Sequence, residues 1–285
     1  MVNIKVNKLS SVKTQLPYEY YHLPFCKPEK IINSAENLGE VLRGDRIENS
    51  MYQIEMRMDE YCKVLCKVPI NDKKHAQRFE KFIRDGYRVN MILDNLPVAM
   101  VRYRTDNSRT VKSYQRGYPV GYVDKFVDKF GGTTGQEKKK GKSKAAVFIN
   151  NHLRFTILYH RDAETDLSRI VGFEVEPFSV EHSYDEPWDP LHTKLFTCNQ
   201  AEGKTVTHEM EPMRIYKGAQ VIFTYDVLFK PSQIKWASRW DTYLLMMDDQ
   251  IHWFSIINSA MIVLFLSGKY TSAIILPAYL PIYHL

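Results

Sequence analysis

VIFTYDVLF, Val221 to Phe229, is the stretch that decides the fold. Val221, Phe223, Tyr225, Val227 and Phe229 alternate with Ile222, Thr224, Asp226 and Leu228. Successive side chains of an extended backbone point to opposite faces, so this period of two makes the run a β-strand with one apolar face. A helix would instead repeat its face every three or four residues. Upstream, HLRFTILYH (His152–His160) and RIVGFEVEPFSVEHSY (Arg169–Tyr184) are also β-rich, and EPWDPLHTKLFTCNQAEGK (Glu186–Lys204), with two prolines, is a loop.

Downstream of the strand the composition changes twice. KWASRWDTYLL (Lys235–Leu245) places Trp236, Trp240, Arg239 and Tyr243 in one amphipathic belt of the kind that sits at a membrane interface. DDQIHWFSIINSAMIVLFLSG (Asp248–Gly268) then runs from Ile251 to Gly268 without an acidic side chain, Lys or Arg. As a helix, those 18 residues would reach roughly 27 Å, against a hydrocarbon core of ~30 Å. The expectation is a transmembrane helix over 250–268, with Trp253 at its interface and Asn258 as an intramembrane polar residue that wants a neighbouring helix. The bland alternative is a buried core helix. Acidic Asp248 and Asp249 before the run and Lys269 after it place its C-terminal end in the cytosol. Residues 269–285 form a divergent tail in which Pro277 and Pro281 oppose a regular helix.

Towards the N-terminus, VNIKVNKL alternates, and Pro17, Pro24 and Pro28 confine LPYEYYHLPFCKP to an edge or extended path. Ser34–Ser50 reads as a short helical turn and loop. Met51–Met58 and Tyr61–Pro69 read as strands. Asn71–Gly86 is the one clear helix, capped by Asn71 or Asp72, with Ala76, Phe79, Phe82 and Ile83 on one face and Gly86 ending it. NMILDNLP (Asn90–Pro97) reads as a strand closing at Pro97. Residues 124–146 read as a flexible Gly- and Lys-rich insertion, with five lysines between Lys138 and Lys144. The fold class is therefore mainly β: a β-sandwich-like domain over 1–245 with one or few short helices, followed by a C-terminal transmembrane helix. The 18 Tyr, 14 Phe and 4 Trp suit packed sheets.

Four cysteines, Cys26, Cys62, Cys66 and Cys198, are disulfide candidates with three possible pairings. If Cys62 and Cys66 share a strand they lie about 13 Å apart and cannot bridge each other. Buried thiols in a reducing compartment are the alternative. No leader with an apolar centre is visible, and no Asn-x-Ser/Thr glycosylation site is present.

Chemistry is sparse. Glu174 and Glu176, about 7 Å apart on one strand face, could be an acid–base pair, but solvated charges explain them better. His208-Glu209-Met210-Glu211 lacks the second histidine of a helical zinc motif, and His152, His160 and His182 are scattered. The glycines and Lys142 around 135–143 miss phosphate-loop spacing. No catalytic, cofactor-binding or metal-binding residue is expected, and a net charge of +6, largely in one lysine run, gives no nucleic-acid footprint.

Several blocks in order, LPYEYYHLPFC (Leu16–Cys26), SAENLGEVLRGDRIENS (Ser34–Ser50), NMILDNLP, INNHLRF (Ile149–Phe155), GFEVEPFSV (Gly172–Val180), KWASRWDTYL (Lys235–Leu244) and DQIHWFSIINS (Asp249–Ser259), closely resemble the nonaspanins, the transmembrane nine or endomembrane protein 70 family. The resemblance implies a lumenal N-terminal domain ahead of nine membrane helices, residence in Golgi and endosome membranes, and a non-enzymatic role in sorting other membrane proteins. Membrane-protein cargo and the lipid bilayer are the expected partners, with no cofactor, nucleic acid or small-molecule substrate. The chain departs from the family pattern in lacking a signal peptide and in leaving the pattern after Gly268, which reads as a truncated form. The alternative function is a membrane-anchored carbohydrate-binding β-sandwich using aromatic faces such as Trp188.

Overall fold

A computed structural model describes residues 2–34, 39, 42, 45–106, 109–124, 145–162, 167–189, 193–199, 204–244 and 253–279. The insertion expected over 124–146 falls almost entirely outside them, although Asp124 and Ala146 at its rims are paired strand residues. The chain divides into a unit over Met1–Asp248 and a second over Asp249–Leu285.

The first unit is built of β1 (Val2–Ser10), β2 (Tyr18–Glu19), β3 (Glu48–Ile54), β4 (Glu60–Pro69), α1 (Lys73–Arg84), β5 (Arg88–Leu93), β6 (Leu96–Pro97), β7 (Ala99–Asp106) and β8 (Arg109–Arg116). It continues with β9 (Tyr118–Pro119), β10 (Gly121–Asp124), β11 (Ala146–Ile149), β12 (His152–Arg161), β13 (Ser168–Phe178), β14 (Gln220–Pro231) and α2 (Asp241–Leu244). Asn90–Pro97 is a correction to one continuous strand. Asp94 and Asn95 both take positive φ (48° and 62°), the conformation that closes a two-residue hairpin, so the stretch is β5, a turn and β6.

Six strands form a mixed sheet in the order β4-β14-β12-β13-β7-β8, and six more gather around β1 and β5. The stretch Val221–Phe229 lies in β14, between β4 and β12, pairing antiparallel with one and parallel with the other. Its alternation is realised in space. Val221, Phe223, Tyr225 and Val227 enter one apolar core with Leu153, Phe155 and Ile157 of β12 and Phe173 and Val175 of β13. Ile4, Val6 and Leu9 of β1 and Val89, Met91 and Leu93 of β5 enter the same core from the other sheet. The odd step from Val6 to Leu9 stays on one face because a register shift falls between them. Tyr225 also ties the sheets directly, its hydroxyl donating to the Gln53 carbonyl of β3 at 2.9 Å.

Helix α1 matches its sequence pattern. The Asp72 side chain accepts from the Lys74 N–H at 2.9 Å, and Phe79, Phe82 and Ile83 are buried. Burying each such side chain stabilises by roughly 1.5–3 kcal/mol. Gly86, at φ 70°, ends the helix in the left-handed region where a side chain is strained. In the β10–β11 hairpin, Gly121 lets the backbones meet: a Cβ there would stand 2.0 Å from the Phe148 carbonyl oxygen.

Opposite the core, the outward residues of β14 are Ile222, Thr224 and Asp226. A smaller apolar cluster of Phe178, Val180, Leu195, Cys198, Val206 and Ile222 covers this second face. The cover comes from the long irregular segment between β13 and β14.

Candidate functional site

Two regions concentrate chemistry. The first is the strip that follows β14. Pro231 ends the strand, the Ser232 N–H donates to the Tyr159 carbonyl at 2.8 Å, and the Ser232 hydroxyl accepts from the Ile234 N–H. A 3₁₀ turn over Trp236–Ser238 and the single turn of α2 follow. Arg239 between them is only 7% exposed. It donates to Asp94 Oδ2 at 2.8 Å and to the Ile170 carbonyl at 3.4 Å. The sequence pattern places Arg239 on the surface of the amphipathic belt, and its burial corrects that. The guanidinium finds a carboxylate in the β5–β6 turn and is drawn inward to fasten the strip to the sheet. The indoles stay outside: Trp236 is 45% and Trp240 46% exposed, and Leu244 is 83% exposed. The guanidiniums of Arg239 and Arg169 lie 4.7 and 5.6 Å from the Trp236 ring centre, and Trp240 packs against half-buried Tyr243. With exposed Lys235, Arg169 and Leu167 the strip presents aromatic, aliphatic and cationic groups together. Such a surface suits a lipid headgroup layer, where a ring buries its apolar body and a cation meets phosphate.

The second unit contains α3, Trp253–Tyr279. Trp253 is its first residue and Asn258 is exposed one and a half turns on. Residues 250–252 of the expected span lie outside the described residues; from Trp253 the helix covers the rest of it and continues past Lys269 and through Pro277, where the sequence pattern sets the proline against a regular helix. Among the described residues no helix is long and apolar enough to cross a membrane.

The second region is a buried polar network on the covered face of β14. His152 and Arg154 of β12 stand in register with Thr224 and Asp226 of β14. The Thr224 hydroxyl meets His152 Nδ1 at 2.7 Å and His182 Nε2 at 2.9 Å, and His182 Nδ1 meets the Thr197 hydroxyl at 2.6 Å. Asp226 is 1% exposed. Its Oδ1 accepts from the Cys62 N–H at 2.7 Å and its Oδ2 from Arg154 Nε at 3.2 Å, with His152 Nε2 also 3.2 Å away. Burial pushes the Asp226 carboxyl up, but His152, the Cys62 N–H and Arg154 together hold it below the usual carboxylate range. Arg154 further donates to the Val206 carbonyl at 2.7 Å and lies over the Phe178 ring. Asn151 closes the network, donating to Val180 and Ile222 carbonyls and accepting the Val180 N–H. His152, His182 and Thr224 are closed from solvent, so the arrangement orients a loop rather than offering a nucleophile to substrate. The sequence signal that could have found it is the pair of alternations His-Leu-Arg and Thr-Tyr-Asp on neighbouring strands.

The cysteines pair as Cys26–Cys66 and Cys62–Cys198, with Cα separations of 5.8 and 5.7 Å. Cys62 and Cys66 do share β4. One register shift against β14, between Phe223 and Thr224, adds Leu65 to β4 and turns Val64 and Cys62 to the covered face, while Cys66 packs on the main core. One bridge therefore ties the N-terminal segment to the core, and the other ties the cover to the sheet. Trp188 packs at 5.0 Å against Tyr184, with Lys67 Nζ 5.1 Å from its ring centre, so Lys67 and Tyr184 already occupy much of its aromatic surface. Glu174 accepts from Lys112 at 2.6 Å and the Tyr114 hydroxyl at 3.1 Å, whereas Glu176 faces Arg154 and His208. The two carboxylates have separate partners rather than one shared site. Among the described residues no cluster of three His, Cys, Asp or Glu is placed to hold a metal ion.

Comparison with known proteins gives consistent matches. Residues 17–278 match the family model of endomembrane protein 70. Transmembrane 9 superfamily member 10 of Arabidopsis thaliana is 54% identical over 93% of this chain and 39% of its own length. Transmembrane 9 superfamily member 4 of Homo sapiens is 42% identical over 96% of this chain and 41% of its own. The chain thus spans about two fifths of the length of these relatives.

Proposed function

The chain belongs to the endomembrane protein 70 family, the transmembrane 9 superfamily, and we propose on that premise that it is a non-enzymatic membrane protein that helps localise other membrane proteins in Golgi and endosome membranes. In this reading the β-rich unit is lumenal and recognises lumenal parts of cargo. Residues within 250–268, in α3, span the bilayer. Trp236, Trp240 and Trp253 sit at its interface, and Asn258 bonds to a neighbouring helix of the whole protein.

The observation that carries the reading is the exposed Trp236–Trp240 strip, held by Arg239 and Asp94 on the sheet and followed in the chain by an apolar helix. Half-exposed indoles fixed beside cations suit a domain resting on lipid, where rings enter the headgroup layer and cations meet phosphate.

Translation of the chain with microsomes, carbonate extraction and protease protection tests this. Retention in the pellet with a protected fragment of nearly full length supports a spanning helix and a lumenal β unit. Extraction into the supernatant, or digestion of the β unit, overturns both assignments.

A further inference from the structure

The cover over the outer face of β14 is fixed by a chain of hydrogen bonds whose proton positions can be assigned from chemistry alone. Asp226 Oδ2 lies 3.2 Å from His152 Nε2, a proximity that is not aligned as a hydrogen bond but that, in a neutral ring, favours the proton on Nε2 and leaves Nδ1 to accept. The Thr224 hydroxyl must then donate to His152 Nδ1, which leaves its lone pairs to accept from His182 Nε2–H. His182 Nδ1 is therefore unprotonated and accepts from the Thr197 hydroxyl. With His152 neutral, each link determines the next, and a neutral His182 satisfies all of them without carrying a charge into the buried site.

A second proton on His182 would turn its last acceptor into a donor, so the Thr197 hydroxyl would have to rotate to accept it, and a charge would be placed in a site closed from solvent. Among the described residues no carboxylate stands against His182 to offset the new charge. Asp226 is engaged by His152, Arg154 and the Cys62 N–H. Glu176 faces Arg154 and exposed His208, and Lys67, farther along the same face, bonds to the Tyr184 hydroxyl. The nearest charged groups, His152 when protonated and Arg154, are of the same sign.

We propose that His182 is the pin of an acid-released latch, and that its protonation frees the segment carrying Val180–His182 and Leu195–Thr197 from the outer face of the sheet. Cys198, bridged to Cys62 on β4, keeps the freed segment tethered, so release is a local opening and not loss of the fold. Burial, and then repulsion from His152 whenever that ring is charged, hold the His182 ring down at about 3 in the closed form. A freed histidine takes its ordinary value near 6.5. The open form therefore binds the extra proton, and the opening constant rises as pH falls below about 6.5, by about 30-fold between pH 7.5 and 5.0.

Hydrogen exchange of the full chain in detergent, corrected for intrinsic rates, reads this directly. The Val180 and Phe196 N–H groups, bonded to Asn151 Oδ1 and the Ser183 carbonyl, should lose about 30-fold in protection between those pH values, while Leu153–Ile157 in β12 hold theirs. His182→Gln should abolish the pH response, and His208→Gln, an exposed control, should keep it. Equal protection at both pH values, or an equal loss in β12, overturns the latch. Should His182→Gln fail to fold, nitrogen NMR of the unaltered chain decides: a His182 ring that charges only together with loss of the Val180 N–H protection supports the latch, and a ring that charges between pH 7.5 and 5.0 with that protection intact refutes it.

Discussion

Asp226→Ala is the substitution that most sharply tests the outer-face network. The carboxylate is 1% exposed and serves three neighbours: the Cys62 N–H at 2.7 Å, Arg154 Nε at 3.2 Å and His152 Nε2 at 3.2 Å. Truncation removes all three contacts and leaves the Arg154 guanidinium with the neutral Val206 carbonyl and, for a counter-charge, Glu176, 3.7 Å away at a half-exposed position. Breaking a buried pair on one side typically costs 3–5 kcal/mol, more than the net value of the bonds themselves, because the remaining charge is stranded. A domain of this size loses about 2–4 °C per kcal/mol, so thermal unfolding should shift down by roughly 6–20 °C. Asp226→Asn keeps an acceptor for the Cys62 N–H and should cost about half as much. Thermal unfolding of the full chain in detergent at pH 7.5, followed by tryptophan fluorescence, measures each variant. The double variant Asp226→Leu with Arg154→Met removes both charges and should recover more than half of the Asp226→Ala loss. An Asp226→Ala loss below about 1 kcal/mol, or a double variant no better than the single one, refutes the stranded-charge account.

Other outcomes follow from the same coordinates. Replacing Cys62 and Cys198 by alanine opens a loop with a sequence separation of 136, against 40 for Cys26 and Cys66; loop entropy gives about 5 against about 4 kcal/mol, so urea midpoints should rank the two pairs in that order. Gly121→Ala drives a Cβ into the Phe148 carbonyl oxygen and should lower the urea midpoint, whereas Gly218→Ala meets no atom within 4 Å and is opposed only by its φ of 96°. Stability should fall as pH drops below about 6.5, by up to ~1.4 kcal/mol per unit, because the unfolded His182 binds a proton that the folded ring, held at about 3, refuses. Below about pH 4 Asp226 adds to the same slope, since its folded carboxyl lies below the ordinary value and its contribution vanishes on protonation. Trp236→Ser with Trp240→Ser should weaken binding of the chain to anionic liposomes without moving the urea midpoint, because both rings are already half exposed.

What the sequence could show was local. The alternation of Val221–Phe229 and the apolar face of Ala76–Ile83 report burial directly, because burial follows period, and both elements stand where the pattern places them. The β5–β6 turn was missed because Asp94 and Asn95 read equally well as the end of a strand; only their left-handed backbone distinguishes the two. Arg239 was misread because its partner, Asp94, is 145 residues away in sequence. His152 and His182 meet on one threonine that neither adjoins in the chain, and no spacing rule announces such a junction. The register shift at Leu65 in β4 was equally silent, yet it decides which face each cysteine takes.

The place of β14 carries a consequence for how the molecule is made. It is the last strand of the sheet to emerge, yet it fills the gap between β4, made some 160 residues earlier, and β12. Contacts that span so much chain are entropically slow to form. Until residues 220–231 are synthesised, the edges of β4 and β12 lack their shared neighbour, and the apolar faces of Leu153, Phe155 and Ile157 lack half of their packing. A nascent chain of this protein therefore passes through a long interval as an unsealed sheet, prone to pair with other strands and dependent on holding factors, until one late segment closes it.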